Sequence, residues 1–200
     1  CLPSNKPLLS ICAVRTGVGK SQTTRYAISA LQEMGKKVVA IRHPMPYGDL
    51  SKQVCQRFAS YQDMDKHECT IEEREEYEPH IRKGVVVYAG VDYAAILAQA
   101  EQEADVIVWD GGNNDLPFYR PDLHVVLVDP HRPGHELTYH PGEANLRMAD
   151  IVLINKITTA KVEGIAQVQK NAFAVNPGAT VVKCDSPITV EKPEDVKGKR

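Results

Sequence analysis

Gly17 and Gly19, with the Lys20-Ser21 pair that follows, constrain this chain more than any other stretch. They lie in Arg15-Thr16-Gly17-Val18-Gly19-Lys20-Ser21, directly after the apolar run 8–14. A short buried strand, a glycine turn and Lys-Ser opening a helix form the layout of a phosphate-binding loop. Glycine has no Cβ, so the backbone can turn sharply and aim its N–H groups at phosphate oxygens. The residues expected to contact a triphosphate are therefore Gly17, Val18, Gly19, Lys20, Ser21 and Gln22. Lys20 reaches toward the β/γ-phosphates, and the Ser21 hydroxyl is placed to ligate Mg²⁺. Val14 stands where the usual G-x-x-x-x-G-K-[ST] pattern has its first glycine.

A second signal sits far downstream. Val106-Ile107-Val108-Trp109-Asp110 is an apolar run that ends in an acid and leads into Gly111-Gly112-Asn113-Asn114-Asp115. A buried parallel strand ending in Asp presents a carboxylate to Mg²⁺ or its waters. Asp110 is thus the expected partner of Ser21 at the metal, and Asn113, Asn114 and Asp115 are placed to face a second substrate. A third apolar run, 151–154, ends in Asn155-Lys156, expected to meet the nucleotide base. Guanine-binding domains often carry Asn-Lys-x-Asp here, but this chain has Thr158 at the acidic position. Thr lacks the paired carboxylate oxygens that accept guanine's N–H groups, so ATP is expected ahead of GTP.

The pattern between these motifs alternates β-rich runs with helical stretches, which argues for a mostly parallel sheet with helices on both faces. Strands are expected at 8–14, 37–42, 85–88, 105–110, 123–129, 151–154 and 180–184. Helices are expected at 20–34, 62–68, 71–83, 92–104, 143–149 and 159–171. In the first helix Tyr26, Ile28, Ala30 and Leu31 offer an apolar face; in the fourth, Ala94, Ala95, Leu97 and Ala98 do. The run Glu72–Glu78 reads as a solvated helix face or as a charged lid.

Open parallel sheets bind ligands beyond the carboxyl ends of their strands. Three polar loops are expected there: 43–49, 110–120 and 129–143. The last holds His131, Arg132, His135, Glu136, His140 and Glu143. Arg132, His131, Arg42 and His43 suit an anionic second substrate. A metal site built from His131, His135 and His140 is the alternative, though the spacing fits no zinc pattern.

Bulk properties narrow the classes. The chain has 200 residues and a formal net charge of −2, which suits one nucleotide-binding domain spanning 1–200 and gives no support for a nucleic-acid or anionic-membrane surface. No apolar run approaches the ~20 residues a membrane-spanning helix needs. The five cysteines are scattered and form no C-x-x-C pair, which suggests a reducing cytoplasm. The chain opens on Cys1 and closes on the charged Asp195–Arg200, so a segment of a longer protein is expected.

Together, Arg15–Arg25, Arg42–Gly48, Trp109–Asp115 and Asp129–Glu136 resemble the cyclic 2,3-diphosphoglycerate synthetases, whose bacterial relatives are usually described as predicted GTPases. The resemblance covers nearly the whole chain. A basic residue in the loop, here Arg15, also resembles partition ATPases and dethiobiotin synthetase-like enzymes. The resemblance implies a three-layer P-loop NTPase fold, ATP (or GTP) with Mg²⁺, and a small anionic substrate such as 2,3-diphosphoglycerate closed into its cyclic anhydride. It implies a homo-oligomer as a possibility. On that reading Lys20, Arg15, Ser21 and Asp110 serve the ATP side, and Arg42, His43, Arg132 and His131 the substrate side. A nucleotide-controlled switch binding a protein partner is the competing expectation, and a histidine-based metal hydrolase a third.

Overall fold

The computed structural model describes residues 1–45, 47, 49–112, 115–187 and 194. The expectations for Asn113, Asn114, Gly48 and the charged end 195–200 lie outside the described residues.

Eight strands form one sheet in the order β3-β4-β2-β5-β1-β6-β7-β8. They are β1 (Leu8–Ala13), β2 (Val38–Ile41), β3 (Gln56–Phe58), β4 (Val86–Ala89), β5 (Val106–Asp110), β6 (Leu123–Val128), β7 (Ile151–Ile154) and β8 (Thr180–Lys183). Every pairing is parallel except β3 with β4. β3 is absent from the sequence expectations. It has three residues and only Gln56 and Phe58 face inward, too short a stretch for its alternation to stand out.

The central strands carry continuous runs of buried residues, not alternate ones. Val38, Val39, Ala40 and Ile41 are all buried, as are Ile107, Val108, Trp109 and Asp110. A strand reads that way only when both faces of the sheet are covered. The covering helices are α1 (Lys20–Glu33), α2 (Tyr61–Lys66), α3 (Ile71–Ile81), α4 (Tyr93–Glu103), α5 (His135–Thr138), α6 (Gly142–Met148) and α7 (Val162–Val175). The result is the three-layer α/β architecture expected of a P-loop NTPase.

Several boundaries follow from local chemistry. Gly35, at φ 76°, ends the turn after α1, and its N–H donates to the Gln32 carbonyl at 2.9 Å. Asp92 caps α4 by accepting from the Ala95 N–H at 2.9 Å. Thr70 and Glu73 form a reciprocal capping box that starts α3.

Three expected faces need correction. On α1 the buried residues are Lys20, Thr24 and Ile28, while Tyr26 is 77% exposed. On α4 Ile96, Leu97 and Ala100 face the core, whereas Ala94 and Ala98 are exposed. Bulk decides here: burying Ile96 removes more apolar surface than burying an alanine. The acidic run on α3 is neither wholly solvated nor a free lid. Glu73, Tyr77, His80 and Ile81 are buried, a spacing that turns one side of the helix to the core. Finally, α5 forms within the stretch 129–143 expected as loop, and α7 runs four residues past the expected helix, to Val175.

Candidate nucleotide site

β1 lies at the centre of the sheet between β5 and β6, and its register pairs Ile11 with Asp110 and Ala13 with Leu127. The chain leaves β1 and returns two strands away at β2, so the sheet's order reverses beside β1. That reversal opens a crevice at the carboxyl edge. The glycine loop emerges directly into it.

Gly17 and Gly19 both have positive φ, 80° and 109°. At Gly19 the space is closed as well: a Cβ would overlap the Asn155 amide nitrogen. Glycine is therefore required there twice over. Val14, in the position of the missing first glycine, is buried and its carbonyl packs against Gly142, where a Cβ would collide with it. The close approach that glycine usually provides within the loop is supplied here by a glycine on α6. Gly19 also caps α1 without any side-chain hydrogen bond, and no acid occupies the first turn. The first N–H groups of α1 thus lack a side-chain cap, which together with the helix dipole favours an anion.

Asp110 is the hub of the buried charges. Its Oδ1 accepts from Lys20 Nζ at 2.5 Å and from the Thr24 hydroxyl at 3.1 Å. Its Oδ2 accepts from Arg42 and faces His80 Nε2 at 3.3 Å. Burial pushes this carboxyl up, but Arg42, Lys20 and His80 outweigh it and hold it well below the usual carboxylate range. Arg42 also pairs with Glu76 at 2.8 Å. Desolvation pulls the Arg42 guanidinium down, and Asp110 and Glu76 more than restore it.

Arg42 was expected on the substrate side. It is instead buried, with both ends of its fork occupied, and belongs to the Asp110 cluster. His80, Thr24 and Glu76 were not among the expected site residues. A histidine inside a run of glutamates resembles a surface residue in sequence; the inward turn of α3 was the only available signal.

The other expected residues fall into separate groups. Arg15 contacts His135 Nδ1 through Nη1 at 2.9 Å and lies over the Tyr139 ring, 5.8 Å from its centre. It therefore ties the glycine loop to α5. His43 Nε2 stands 3.7 Å from Asp115 Oδ2, joining the loops after β2 and β5. Arg132 is 49% exposed and its Nη1 lies 3.3 Å from Asp129 Oδ2. Asp129, buried at the end of β6, also faces Lys156 Nζ at 3.6 Å. Lys156 donates to the Gly17 carbonyl at 2.5 Å. Asp129 is thus a second buried acid below the loop, expected at the end of a strand but not among the residues assigned a site role.

His131 turns away to Thr159, at 2.9 Å. His135 meets Arg15, so the three histidines do not converge. Among the described residues no group of three or more His, Cys, Asp or Glu side chains could hold a metal, which removes the histidine metal site.

Asn155 was expected to hydrogen-bond the base. It is fully buried, and its amide ties the loop down: Nδ2 donates one of its two N–H groups to the Val18 carbonyl at 2.8 Å, while Oδ1 accepts from the Lys156 N–H at 2.9 Å and the Ser186 hydroxyl at 3.1 Å. Its task in this geometry is to hold the glycine loop against β7 and the segment after β8.

Oxygen donors at Ser21 and Asp110 have the hardness that Mg²⁺ prefers. Ser21 stands in the first turn of α1, half-buried. The Asp110 carboxylate is filled by nitrogen and hydroxyl donors, so it meets a cation directly only when Lys20 or Arg42 lets go.

Comparison with known proteins places this geometry. Residues 82–184 match the family model described as cyclic 2,3-diphosphoglycerate synthetase, P-loop domain. The chain belongs to that family. It is also 66% identical over 199 residues to arginine synthetase ArcE of Thermococcus kodakarensis. That alignment takes in 100% of this chain but 44% of the relative, so the chain spans less than half of the curated protein it matches. Among solved structures, the hydrogenase maturation factor HypB of Archaeoglobus fulgidus is similar at TM-score 0.58 and 20% identity, over 90% of this chain and 81% of that one. LpxK of Aquifex aeolicus, in a structure containing ATP, is similar at TM-score 0.59 and 16% identity, over 90% and 54%. These two likenesses establish the fold. Among the described residues, no helix is long and apolar enough to cross a membrane.

Proposed function

We propose that this chain is the phosphoryl-transfer domain of an ATP-dependent synthetase. The observation that carries the proposal is the Lys20–Asp110 pair, at 2.5 Å, beside the uncapped N-terminus of α1. A buried lysine on a strand-end acid, beneath free backbone N–H groups, is poised to exchange that acid for phosphate oxygens. That exchange would leave Asp110 Oδ1 with the Thr24 hydroxyl as its remaining donor and room to help hold a cation. Arg42 and His80 keep the carboxylate in place meanwhile. Mg²⁺, held by Ser21 and Asp110, would neutralise phosphate charge.

Phosphoryl transfer needs positioning and charge neutralisation more than covalent chemistry. Gly17–Gln22 and Lys20 bind the triphosphate. Arg15, in the loop itself and tied to α5 through His135, and Lys156, just after β7, border it. His43 and Arg132, on different loops, remain available for the acceptor. The synthetase class suits phosphorylating an acceptor oxygen so that a second nucleophile can displace it.

The relative matched along the whole chain favours arginine as the product. A phosphoryl group placed on a ureido oxygen becomes a leaving group, and an amine that displaces it leaves a guanidinium. The family model's description favours the second reading, in which the displacing group is another phosphate of 2,3-diphosphoglycerate and the product is a cyclic anhydride. A compartment such as the cytoplasm, where ATP is abundant, fits both.

The test uses the full-length protein with ATP and Mg²⁺. Phosphate release stimulated by the ureido amino acid with arginine's carbon skeleton plus ammonium supports the first product. Stimulation by 2,3-diphosphoglycerate supports the second. Turnover that answers to neither, and rises only with a protein partner, replaces both with a nucleotide switch.

A further inference from the structure

A groove of about 640 Å³ runs beside the phosphate loop between α1 and the carboxyl ends of β7 and β8. Gln22, Thr23 and Tyr26 form one wall; Leu153, Cys184 and Asp185 form the other. We propose that this groove takes the base of the nucleoside triphosphate, and that Asp185 selects adenine over guanine. The inference rests on the phosphate-loop reading above.

Continuity supports the occupant. Gln22 and Thr23 follow Ser21 directly, so the groove opens within one helical turn of the loop. The far wall is tied to the same loop: Ser186 donates to Asn155 Oδ1 at 3.1 Å, and Asn155 donates to the Val18 carbonyl at 2.8 Å. A ligand that fills the loop with its phosphates therefore has its remaining bulk beside a groove of fixed position. The lining is apolar at Leu153, Tyr26 and Cys184, as a flat heteroaromatic ring requires. Tyr26 is a large ring left 77% exposed on an otherwise folded helix, and a base stacked on it would bury that surface.

The carboxylate carries the selectivity. Thr158 holds the position at which a guanine-reading Asp would stand, but its hydroxyl donates to Asp185 Oδ2. The acid is thus supplied from the next strand's end and is already engaged at one oxygen. Guanine offers two adjacent N–H donors and needs both carboxylate oxygens. Adenine's 6-amino group needs one, and Oδ1 of Asp185 has no partner among the described residues.

The experiment measures binding of ATP, GTP and inorganic tripolyphosphate to the full-length protein by calorimetry, with wild type, Asp185→Ala and Thr158→Ala. The expected result is a preference for ATP that falls about tenfold in Asp185→Ala, the loss of one charge-assisted hydrogen bond, with tripolyphosphate affinity unchanged. Thr158→Ala, which frees the second oxygen, should raise GTP affinity. If Asp185→Ala also loses tripolyphosphate, Asp185→Asn, which can still accept the Thr158 bond, carries the same comparison. An unchanged ATP/GTP ratio with tripolyphosphate still bound overturns the role of Asp185 alone. Failure of tripolyphosphate to bind wild type or to compete with ATP overturns the phosphate-loop reading, and this inference with it.

Discussion

Asp110 is held by four donors, and that number makes the cluster asymmetric to mutation. Lys20→Ala leaves the carboxylate with Arg42, His80 and Thr24, so the cost is that of one bond, about 1–3 kcal/mol. Asp110→Asn removes the anion and strands buried Lys20 without its partner. Breaking a buried pair that way costs about 3–5 kcal/mol. Urea unfolding of the two variants should separate them in that order. A second residue-scale prediction concerns His124, which is buried on β6 with neither ring nitrogen hydrogen-bonded among the described residues. Burial lowers its affinity for a proton, against a weaker opposing pull from Asn145 and Asp150. The unfolded chain, titrating near pH ~6.5, then binds the proton better than the native one. Stability contributed by neutral His124 is present above that pH and is lost as pH falls toward the native value. His124→Leu should flatten the fall in unfolding free energy between pH 7 and pH 5; an unchanged slope would assign it elsewhere, His67 being the other histidine that burial lowers.

At the scale of elements, the phosphate loop depends on a helix distant in sequence. Gly142 opens α6 directly against the Val14 carbonyl. Gly142→Ala should push α6 away from the loop's first residue, costing several kcal/mol by overpacking and weakening nucleotide binding along with stability. Thermal unfolding and ATP titration of that variant check both effects. Substitution of Gly134, whose Cβ would meet nothing within 4 Å but whose φ is 98°, should act through backbone strain alone. The elements that carry these effects were unequally legible in the sequence. The long apolar strands and the Gly17–Ser21 loop announce themselves because buried parallel strands and glycine turns leave few alternatives. β3 and α5 do not, since three or four residues give no period. Tyr26 and Ala94 misled because an apolar residue at helical spacing marks a face only when its neighbours leave no bulkier choice. His80 and Glu76 were hidden by composition: α3 reads as a charged surface helix, yet it delivers both side chains to the Asp110–Arg42 cluster. Asn155 stands out by motif, but its grip on Val18 and Ser186 does not, because those partners lie far away in sequence.

Across the whole molecule, the loops that matter gather at one edge of the sheet. The carboxyl ends of β1, β5, β6, β7 and β8 bring residues 15–23, 110–112, 129–132, 155–158 and 184–187 to that edge. A separate polar cavity lies at the opposite edge, lined by Lys36, Lys37, Glu103 and Asp105. Hydrogen exchange of the full-length protein should therefore slow in the first set of segments when ATP and Mg²⁺ are added, and stay unchanged around 35–38 and 103–105. Protection confined to the second region would move the nucleotide to the wrong end of the sheet. The most direct measurement compares ATP turnover by the full-length protein with that of its Lys20→Ala variant, under conditions where both are folded. Loss of the lysine should lower turnover by at least about 100-fold, the scale of removing a charge that stabilises the transferring phosphoryl group. Equal turnover in the two proteins would contradict the account, because Lys20 would then not touch the phosphates at all.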